Sequence, residues 1–515
     1  GRRAVLLGGL GGAAFLLAAC TPSPGAASSG TGAGEGTTGA PGSGPDAASS
    51  GNAAGTPATP GNTTNPGPTG GGSATGSASA EATETLATSG KQPLSALGKK
   101  VSGKLYLPTT PGYSTARLVE NPRYDAARPL GVLQPKNAKD VSTALAFAAD
   151  NGVPLALRAG GHSYPGYSAG GAPGTGVKPS LVIDSRSLNS ISFSGTTVTV
   201  GSGVALAQLY AALAARGRAL PGGSCATVGI TGLTLGGGVG VMTRAHGLTA
   251  DSLTSAQVVT ADGRVRTADA RHEPELFWAL RGGGGGHLGV VTRLSFSTVA
   301  APTVKSFYLQ WPSASARSVL QAWQAWAPTA DRRLWSTLKI LAGSSHPSGP
   351  TLLVAGTWLG PGDPPLAGLL GHTPKPSIHT TRSRSFGAAM AGYAGCATIP
   401  AAQCHTGAGG KLSREAFAAT SHVAYSALGG AGISALLARV SAARNSGLIE
   451  AGISIDALGG KVSDVAPGAT AFIHRKALAT VQYTATYRGN GAAKAQAFVS
   501  ATRAAMTPFW GQHAY

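Results

Sequence analysis

The sequence is poor in charged and aromatic side chains, and acidic residues are especially few. Only 12% of residues are charged, and 40 Lys and Arg stand against 20 Asp and Glu, giving a formal net charge of +20. A basic surface favours anionic partners such as nucleic acid or anionic lipid. The basic residues are scattered, however, with no run of four or more, and neither zinc-finger spacing nor a basic helix is present. We therefore expect no nucleic-acid binding.

Long hydrophobic runs are missing too. The uncharged run Ala4–Ala19 is shorter than the about 20 residues that a spanning helix needs, but its length fits an export signal. It follows Arg2-Arg3, which resembles a twin-arginine signal, and ends in a Leu-Ala-Ala-Cys segment that resembles a bacterial lipobox. We expect an exported, cell-surface or extracellular protein whose only membrane attachment is a lipid on Cys20, with a plain cleaved signal as the alternative. Because no initiator Met is present, we expect the true start upstream.

The chain divides by composition and pattern into successive regions. Residues 21–90 are mainly Gly, Ser, Thr, Ala and Pro, which cannot bury enough surface to offset their ordering entropy, so we expect a disordered linker after the signal at 1–20. From 91 to 301, strands alternate with helices, which indicates an α+β or α/β domain. From 302 to 490, strands dominate and indicate an antiparallel sheet, and 491–515 begins a further segment. The predicted strands of this second domain are Phe307–Trp311, Trp335–Leu341, Leu352–Trp358, Gly452–Ala457, Ala469–His474 and Thr480–Tyr487.

Two glycine-rich loops in the first domain carry candidate functional residues. The loop Arg158-Ala-Gly-Gly-His-Ser follows a predicted strand, and its glycines let backbone N–H groups approach a phosphate while Arg158 adds charge. His162 in this loop is placed to reach a cofactor. The loop at 221–240 surrounds Cys225 with glycines, which suggests backbone lying against a flat ligand. Taken alone, a solvated histidine and a small buried cysteine are the ordinary interpretations.

A third loop at 281–289 contains a GxGxxG match at Gly284, Gly286 and Gly289. A Rossmann site requires a helix after the glycines, whereas the strand-like segment Val290–Phe296 follows here. A Walker A sequence is absent as well. The pattern therefore excludes these two common nucleotide sites.

The three loops, in this order and with Asp251 and the segment Leu276–Arg281 between the second and third, resemble the berberine bridge enzyme-like family over about residues 117–515. The resemblance implies an α+β fold: a two-subdomain FAD-binding domain of the vanillyl-alcohol-oxidase or PCMH type at 91–301, and at 302–490 a substrate domain with an antiparallel sheet covered by helices. It also implies FAD tethered twice, through His162 to the flavin 8α-methyl carbon and through Cys225 to flavin C6.

The same resemblance implies which residues surround the cofactor. The segments of the three loops would hold its pyrophosphate, ribityl chain and isoalloxazine ring. The implied cofactor-binding residues are Arg158, Gly160, Gly161, His162, Ser163, Cys225, Thr227, Val228, Gly229, Gly232, Gly237, Gly240, Asp251, His287, Gly289 and Val291.

The resemblance further implies a monomeric enzyme that oxidises an alcohol or sugar hydroxyl. A base would take the hydroxyl proton while hydride moves to flavin N5, and O2 would then accept the electrons as hydrogen peroxide. Val228 stands where relatives gate oxygen, and its small side chain favours an oxidase. A dehydrogenase with another acceptor and a non-catalytic, surface-anchored binding lipoprotein are the alternatives.

In many relatives the base is a tyrosine in the C-terminal part. The candidates here are Tyr483, Tyr487 and Tyr515, and Gln482 is a candidate substrate contact. Gln482 and the two strand tyrosines point to opposite faces of their strand. Relatives also continue beyond the position of Tyr515, so a base beyond this residue is the alternative.

The four cysteines are consistent with this interpretation. Lipid takes Cys20 and flavin takes Cys225. Cys396 and Cys404 lie in one loop-like stretch and form either a disulfide, as exported proteins allow, or a pair of free thiols. We expect no metal site, because no other ligand-spaced cluster accompanies His405.

Overall fold

The computed structural model describes residues 92–515. The predicted signal and lipobox at 1–20 and the predicted linker at 21–90 lie outside the described residues. Within 92–515, no helix is both long enough and apolar enough to cross a membrane.

The first domain contains two sheets and a small ribbon. Its four-stranded sheet has the order β1-β2-β4-β3, in which only β1 runs antiparallel to its neighbour. Its five-stranded antiparallel sheet has the order β5-β6-β10-β8-β9, and β7 pairs with β11. The strands are β1 (Lys104–Tyr106), β2 (Gly131–Gln134), β3 (Leu155–Arg158), β4 (Leu181–Asp184), β5 (Ile191–Ser194), β6 (Thr197–Gly201), β7 (Arg218–Ala219), β8 (Leu253–Val259), β9 (Val265–Asp269), β10 (Val290–Ser297) and β11 (Val299–Ala300).

Helices flank both of these sheets. The longest begins after Asn137, whose side chain accepts a hydrogen bond from the Asp140 backbone N–H, and it ends where Gly152 adopts a left-handed conformation. The helices of this part are Leu94–Gly98, Tyr113–Ala116, Ala138–Asn151, Leu206–Ala214, Ile230–Leu235, Thr243–His246 and Pro274–Leu280. Val141 and Ala144 follow helical spacing in the sequence and are buried on one side of this helix.

The second domain is built on one antiparallel sheet of seven strands in the order β15-β12-β14-β13-β17-β18-β16. Its strands are β12 (Thr303–Trp311), β13 (Leu334–Ala342), β14 (Thr351–Trp358), β15 (Ile378–Ser385), β16 (Phe417–Ala424), β17 (Glu450–Ala457) and β18 (Ala479–Thr486). Its helices are Ala316–Trp326, Ala367–Leu370, Phe386–Tyr393, Gly430–Ala443, Lys461–Asp464 and Ala492–Trp510. The predicted α+β class, with an antiparallel sheet covered by helices, is confirmed.

The two faces of the seven-stranded sheet pack against different layers. Leu338 and Ile453 lie in a core with residues of four helices, and Trp335 and Leu353 lie in a core with strands β6, β8 and β10 of the first domain. Because successive residues of a strand point to opposite faces, the second set of side chains looks towards the glycine-rich loops. The sheet is thus positioned to form one wall of a site between the two domains.

One predicted strand is wrong. The segment 469–474 forms no strand, because its backbone crosses to the first domain, where Ala471 N–H donates to Trp278 O and Phe472 N–H donates to Arg281 O. The Phe472 ring packs against Gly237 and the Phe472 backbone against Gly282, and a Cβ on either glycine would clash with Phe472. An apolar run that resembles a strand is here a connection between the domains.

Candidate functional site

A cavity of about 970 Å³ lies between the glycine-rich loops and the seven-stranded sheet. One wall is formed by residues 155–168, 223–241 and 285–291, and the opposite wall by side chains of β13, β16, β17 and β18. Its volume lies in the range of sites that enclose a cofactor-sized molecule. The cavity therefore occupies the place where the sequence predicted a cofactor and a substrate to meet.

The first two loops meet backbone to backbone at Gly160 and Gly229. A Cβ on Gly160 would lie 2.3 Å from the Gly229 nitrogen and 2.6 Å from the Thr227 carbonyl oxygen, and a Cβ on Gly229 would lie 2.4 Å from the Gly160 nitrogen. Neither position has room for a side chain. This contact brings His162 and Cys225 into the wall of the same cavity.

His162 is held by polar neighbours on one ring nitrogen. Its Nε2 lies 2.8 Å from Thr227 Oγ1 and 4.0 Å from Glu120 Oε2. Burial lowers the pKa of the imidazole, and the Glu120 carboxylate opposes part of this effect. The ring is therefore mostly neutral at pH 7 and has a nitrogen lone pair available for a bond.

Tyr515 is hydrogen-bonded to the second glycine-rich loop at the edge of the cavity. Its hydroxyl oxygen accepts hydrogen bonds from the backbone N–H groups of Gly238 at 3.1 Å and Val239 at 3.0 Å. Burial raises the pKa of the Tyr515 phenol, and these donors offset part of the rise. Tyr515 is thus in the cavity wall, as a neutral phenol bound to the glycine-rich loop.

The opposite wall is polar and contains one carboxylate. Gln482 Nε2 donates to the Tyr164 hydroxyl at 2.7 Å, and Asp456 lies on the neighbouring strand. Burial raises the pKa of the Asp456 carboxyl, and the Thr337 hydroxyl and the Lys339 ammonium oppose this rise. Among the described residues that line the cavity, Asp456 is the only acid, so it is the strongest candidate to accept a proton there.

Sequence reasoning missed Asp456, although a signal was present. On β17, Ile453 and Ile455 belong to the helix-covered core, while Ser454 and Asp456 line the cavity. An alternation of apolar and polar residues with an acid on the polar face indicates a strand that packs on one face and lines a candidate site with the other.

Two of the predicted catalytic tyrosines are not in the cavity, and this corrects the expectation that either is the base. Tyr483 and Tyr487 belong to the helix-covered core, and the Tyr483 hydroxyl lies 2.9 Å from Nδ1 of buried His422. The reason is strand alternation, because Gln482 faces the cavity and its neighbour Tyr483 must face away. Gln482 and Tyr515 are the predicted catalytic residues that the structure places in the cavity wall.

Most predicted cofactor-binding residues line the cavity. This group comprises Arg158, Gly160, Gly161, His162, Ser163, Cys225, Val228, Gly229, Gly232, Gly240, His287, Gly289 and Val291. Thr227 is behind His162, to which it is hydrogen-bonded. Gly237 lies against Phe472 instead, since its left-handed backbone leaves space that the ring fills.

Asp251 and Arg158 each form an ion pair with an oppositely charged side chain. Asp251 lies outside the cavity wall, where its carboxylate pairs with buried Arg475 at 2.7 Å and joins the two domains. The Arg158 guanidinium is 3.0 Å from Asp184 and also donates to the Ala116 carbonyl oxygen. A buried arginine must find such partners, and Asp184 compensates the charge of Arg158 in the cavity wall.

The cavity wall fits FAD in shape and in donor chemistry. Gly289 has a φ of 125°, and a Cβ there would lie 2.6 Å from the Val259 carbonyl oxygen, so the third loop also presents bare backbone. Trp335 Nε1 and Ser168 Oγ, both in the cavity wall, are buried without a hydrogen-bond partner. Buried donors of this kind need a ligand or water to accept from them. Across residues 92–515, no group of three or more His, Cys, Asp or Glu side chains is placed to hold a metal ion.

Cys396 and Cys404 form a disulfide, which confirms the first of the two alternatives. Both cysteines pack in a small apolar cluster with Ala226, the residue that follows Cys225. The disulfide-bearing segment of the second domain therefore covers the outside of the second loop.

Comparisons with known proteins agree with this geometry. Residues 129–269 match the FAD binding domain family. The chain is 35% identical over 246 residues to the uncharacterized FAD-linked oxidoreductase YgaK of Bacillus subtilis, covering 47% of this chain and 53% of that one. It is also 35% identical over 222 residues to glucooligosaccharide oxidase of Sarocladium strictum, covering 42% and 43%. The chain thus spans about half the length of the curated relatives it matches.

A solved structure extends the likeness over most of the described chain. Physcomitrella patens BBE-like 1 superposes with a TM-score of 0.73 and 28% sequence identity, covering 82% of this chain and 90% of that one. The described chain therefore shares its fold with this berberine bridge enzyme-like protein, and residues 129–269 match an FAD binding domain.

Proposed function

We propose that this protein is an FAD-dependent oxidoreductase that carries its flavin on two covalent bonds, from His162 and Cys225, and oxidises a hydroxyl group of an alcohol or carbohydrate. The Gly160–Gly229 contact is the observation that supports it most, since it brings both residues to one cavity that fits the cofactor. Both side chains are partly buried in this wall.

When bound, FAD supplies the two-electron acceptor for hydride. Asp456 takes the substrate's hydroxyl proton, because burial moves the pKa of this carboxyl towards the range useful to a base at neutral pH. The hydroxyl groups of Thr337 and Ser454 lie against the carboxylate and orient it.

The substrate proposed is a carbohydrate or another molecule with several hydroxyl groups. The wall opposite the glycine-rich loops offers hydroxyl and amide groups of Ser421, Ser454, Thr480 and Gln482, and Tyr164 in the loop wall is partly exposed as an aromatic platform. Such a wall hydrogen-bonds sugars better than apolar alcohols. The relative named glucooligosaccharide oxidase supports the same class.

Dioxygen is the proposed acceptor, and the small Val228 side chain in the cavity wall leaves it a path. A flavin dehydrogenase that uses another acceptor is the second candidate. We also propose that the protein works outside the cytoplasm, because the Cys396–Cys404 disulfide suits an oxidising compartment and the residues at 1–20 resemble an export signal.

Anaerobic mixing of the flavin-loaded protein with a panel of oligosaccharides and simple alcohols tests this function. We expect bleaching of the flavin by at least one oligosaccharide, followed by return of the yellow colour and release of hydrogen peroxide when air is admitted. Bleaching of the flavin without release of hydrogen peroxide in air would indicate a dehydrogenase that uses another acceptor. Failure of every hydroxyl compound to bleach the flavin would favour a non-catalytic binding protein.

A further inference from the structure

The carboxylate of Glu120 lies beside the imidazole that carries one of the two proposed flavin bonds. Its Oε2 is 4.0 Å from Nε2 of His162, and both side chains are largely buried, with exposed fractions of 18% and 17%. Glu120 comes from the chain that precedes β2, far from the His162 loop in sequence. At this distance the contact is electrostatic and stronger than in water, because little solvent screens it.

The backbone holds Glu120 against the His162 loop. Its N–H donates to the Gly161 carbonyl oxygen at 3.2 Å. Gly161 has a φ of 77°, and a Cβ there would touch the Val119 Cα at 3.4 Å. The backbone segments that carry the Glu120 carboxylate and the His162 imidazole are thus in direct contact close to both side chains.

A second pair of contacts comes from the disulfide-bearing segment. Thr406 Oγ1 donates to Glu120 Oε2 at 2.9 Å, and Arg414 Nε donates to the Val119 carbonyl oxygen at 2.9 Å. Both residues follow Cys404 in the chain. Contacts from the second domain therefore orient the Glu120 side chain, which is not a freely solvated surface acid.

The contacts of His162 select one form of its ring. Nε2 faces both the Thr227 hydroxyl and the Glu120 carboxylate. A hydroxyl can donate or accept, but a carboxylate can only accept, so the pair favours the tautomer with hydrogen on Nε2. In that tautomer the lone pair is on Nδ1, which is the nitrogen left to bond the cofactor.

Forming the bond changes the charge of the ring. A methyl C–H and an imidazole N–H are replaced by one C–N bond, and the two protons and two electrons released are accepted by dioxygen as hydrogen peroxide. The ring is positively charged from the time Nδ1 bonds carbon until Nε2 loses its hydrogen. Burial opposes this charge at His162, whereas a carboxylate at 4.0 Å favours it.

We propose that Glu120 is a positioning residue for covalent flavin attachment, which sets the tautomer of His162 and stabilises the positive charge that its ring gains as the bond forms. This inference rests on the proposed bond at His162. In this proposal Glu120 affects the rate at which the bond between His162 and the flavin forms, whereas other residues carry out the later oxidation of substrate.

The test uses the full chain, produced without flavin and then mixed with FAD in air, with mass spectrometry of the peptide that contains His162 as the readout. Glu120→Gln keeps the shape and an acceptor for Thr406, so we expect attachment at His162 to slow by at least about tenfold. Glu120→Asp should restore part of the rate. Glu275→Gln, the same change on an exposed helix turn, should match the wild type.

The outcomes separate this inference from the proposed function. If flavin attaches to His162 in Glu120→Gln at the wild-type rate, the proposed role of Glu120 is wrong, although the proposed bond at His162 is still supported. A wild-type protein without any bond at His162 overturns both. If Glu120→Gln unfolds at a lower temperature, Thr406→Val provides the second reading, since it frees the carboxylate without removing it and should slow attachment by about two- to threefold.

Discussion

Gly160 and Gly229 are in direct backbone contact, with space for a Cβ on neither residue. The contact joins the loop of His162 to the loop of Cys225, which are otherwise separate turns after different strands. The proposed double attachment depends on it, because one flavin ring can reach both side chains only if the loops share a wall.

Replacing Gly229 with alanine should therefore damage the site. The new Cβ would lie 2.4 Å from the Gly160 nitrogen, so the loops must separate. We expect the free energy of unfolding to fall by about 1–3 kcal/mol and the fraction of protein with bound FAD to fall with it. Gly429→Ala is the matched control, since a Cβ there meets nothing within 4 Å. Wild-type flavin content in Gly229→Ala would contradict the account.

Asp456→Asn should slow flavin reduction by substrate by about 10²–10⁴-fold while FAD remains bound. The amide cannot take the hydroxyl proton, and Asp456 is the only acid among the described residues of the cavity wall. Anaerobic stopped-flow measurement of bleaching gives the rate. Asp464→Asn, which loses only surface pairs with Arg332 and Lys461, is the control. Reduction by Asp456→Asn at the wild-type rate would exclude Asp456 as the base.

Tyr483→Phe should leave the rate of flavin reduction unchanged, although a tyrosine on this strand was a candidate base. Its hydroxyl contacts His422 in the helix-covered core, so its loss should lower the free energy of unfolding by about 0.5–1.5 kcal/mol. Thermal unfolding and bleaching rates together check this. If a folded Tyr483→Phe protein reduced its flavin a hundredfold more slowly, Tyr483 would again be a candidate base.

Glu415 makes stability depend on pH. Burial, with the nearby Glu450 carboxylate, raises the pKa of Glu415 from 4.5 to about 7. A raised pKa favours the protonated acid in the folded state, so this contribution is complete below pH 4.5 and is lost as pH rises through about 7. Glu415→Gln should therefore be more stable than the wild type at pH 8, by about 1–3 kcal/mol, and show no such gain at pH 5. An equal difference at both pH values would contradict this assignment.

Local patterns predicted much of this fold. The apolar residues of the helix Ala138–Asn151 repeat with the period of one buried face. Strands β13 and β14 are buried on both faces, and they stand out as short runs rich in apolar and β-branched residues. Strand β15 was not predicted, since its polar residues lie exposed at the edge of the sheet and show no such period.

The site was predictable only where chemistry is local. His162 and Cys225 stand out because glycines surround them, whereas Glu120 reaches His162 through a contact between distant segments. Arg158 was assigned to the cofactor on its charge and Asp251 on the family resemblance, whereas their ion pairs with Asp184 and Arg475 were not predicted. Such pairings follow from the packing of segments, and no local pattern of residues encodes them.

The most direct test of the central claim is the intact mass of the flavin-loaded protein after acid precipitation, for the wild type, His162→Ala, Cys225→Ala and the double variant. The account predicts that the wild type and both single variants keep the mass of one FAD, because either bond suffices, and that the double variant loses it. Release of all flavin from the wild type in acid would contradict the claim.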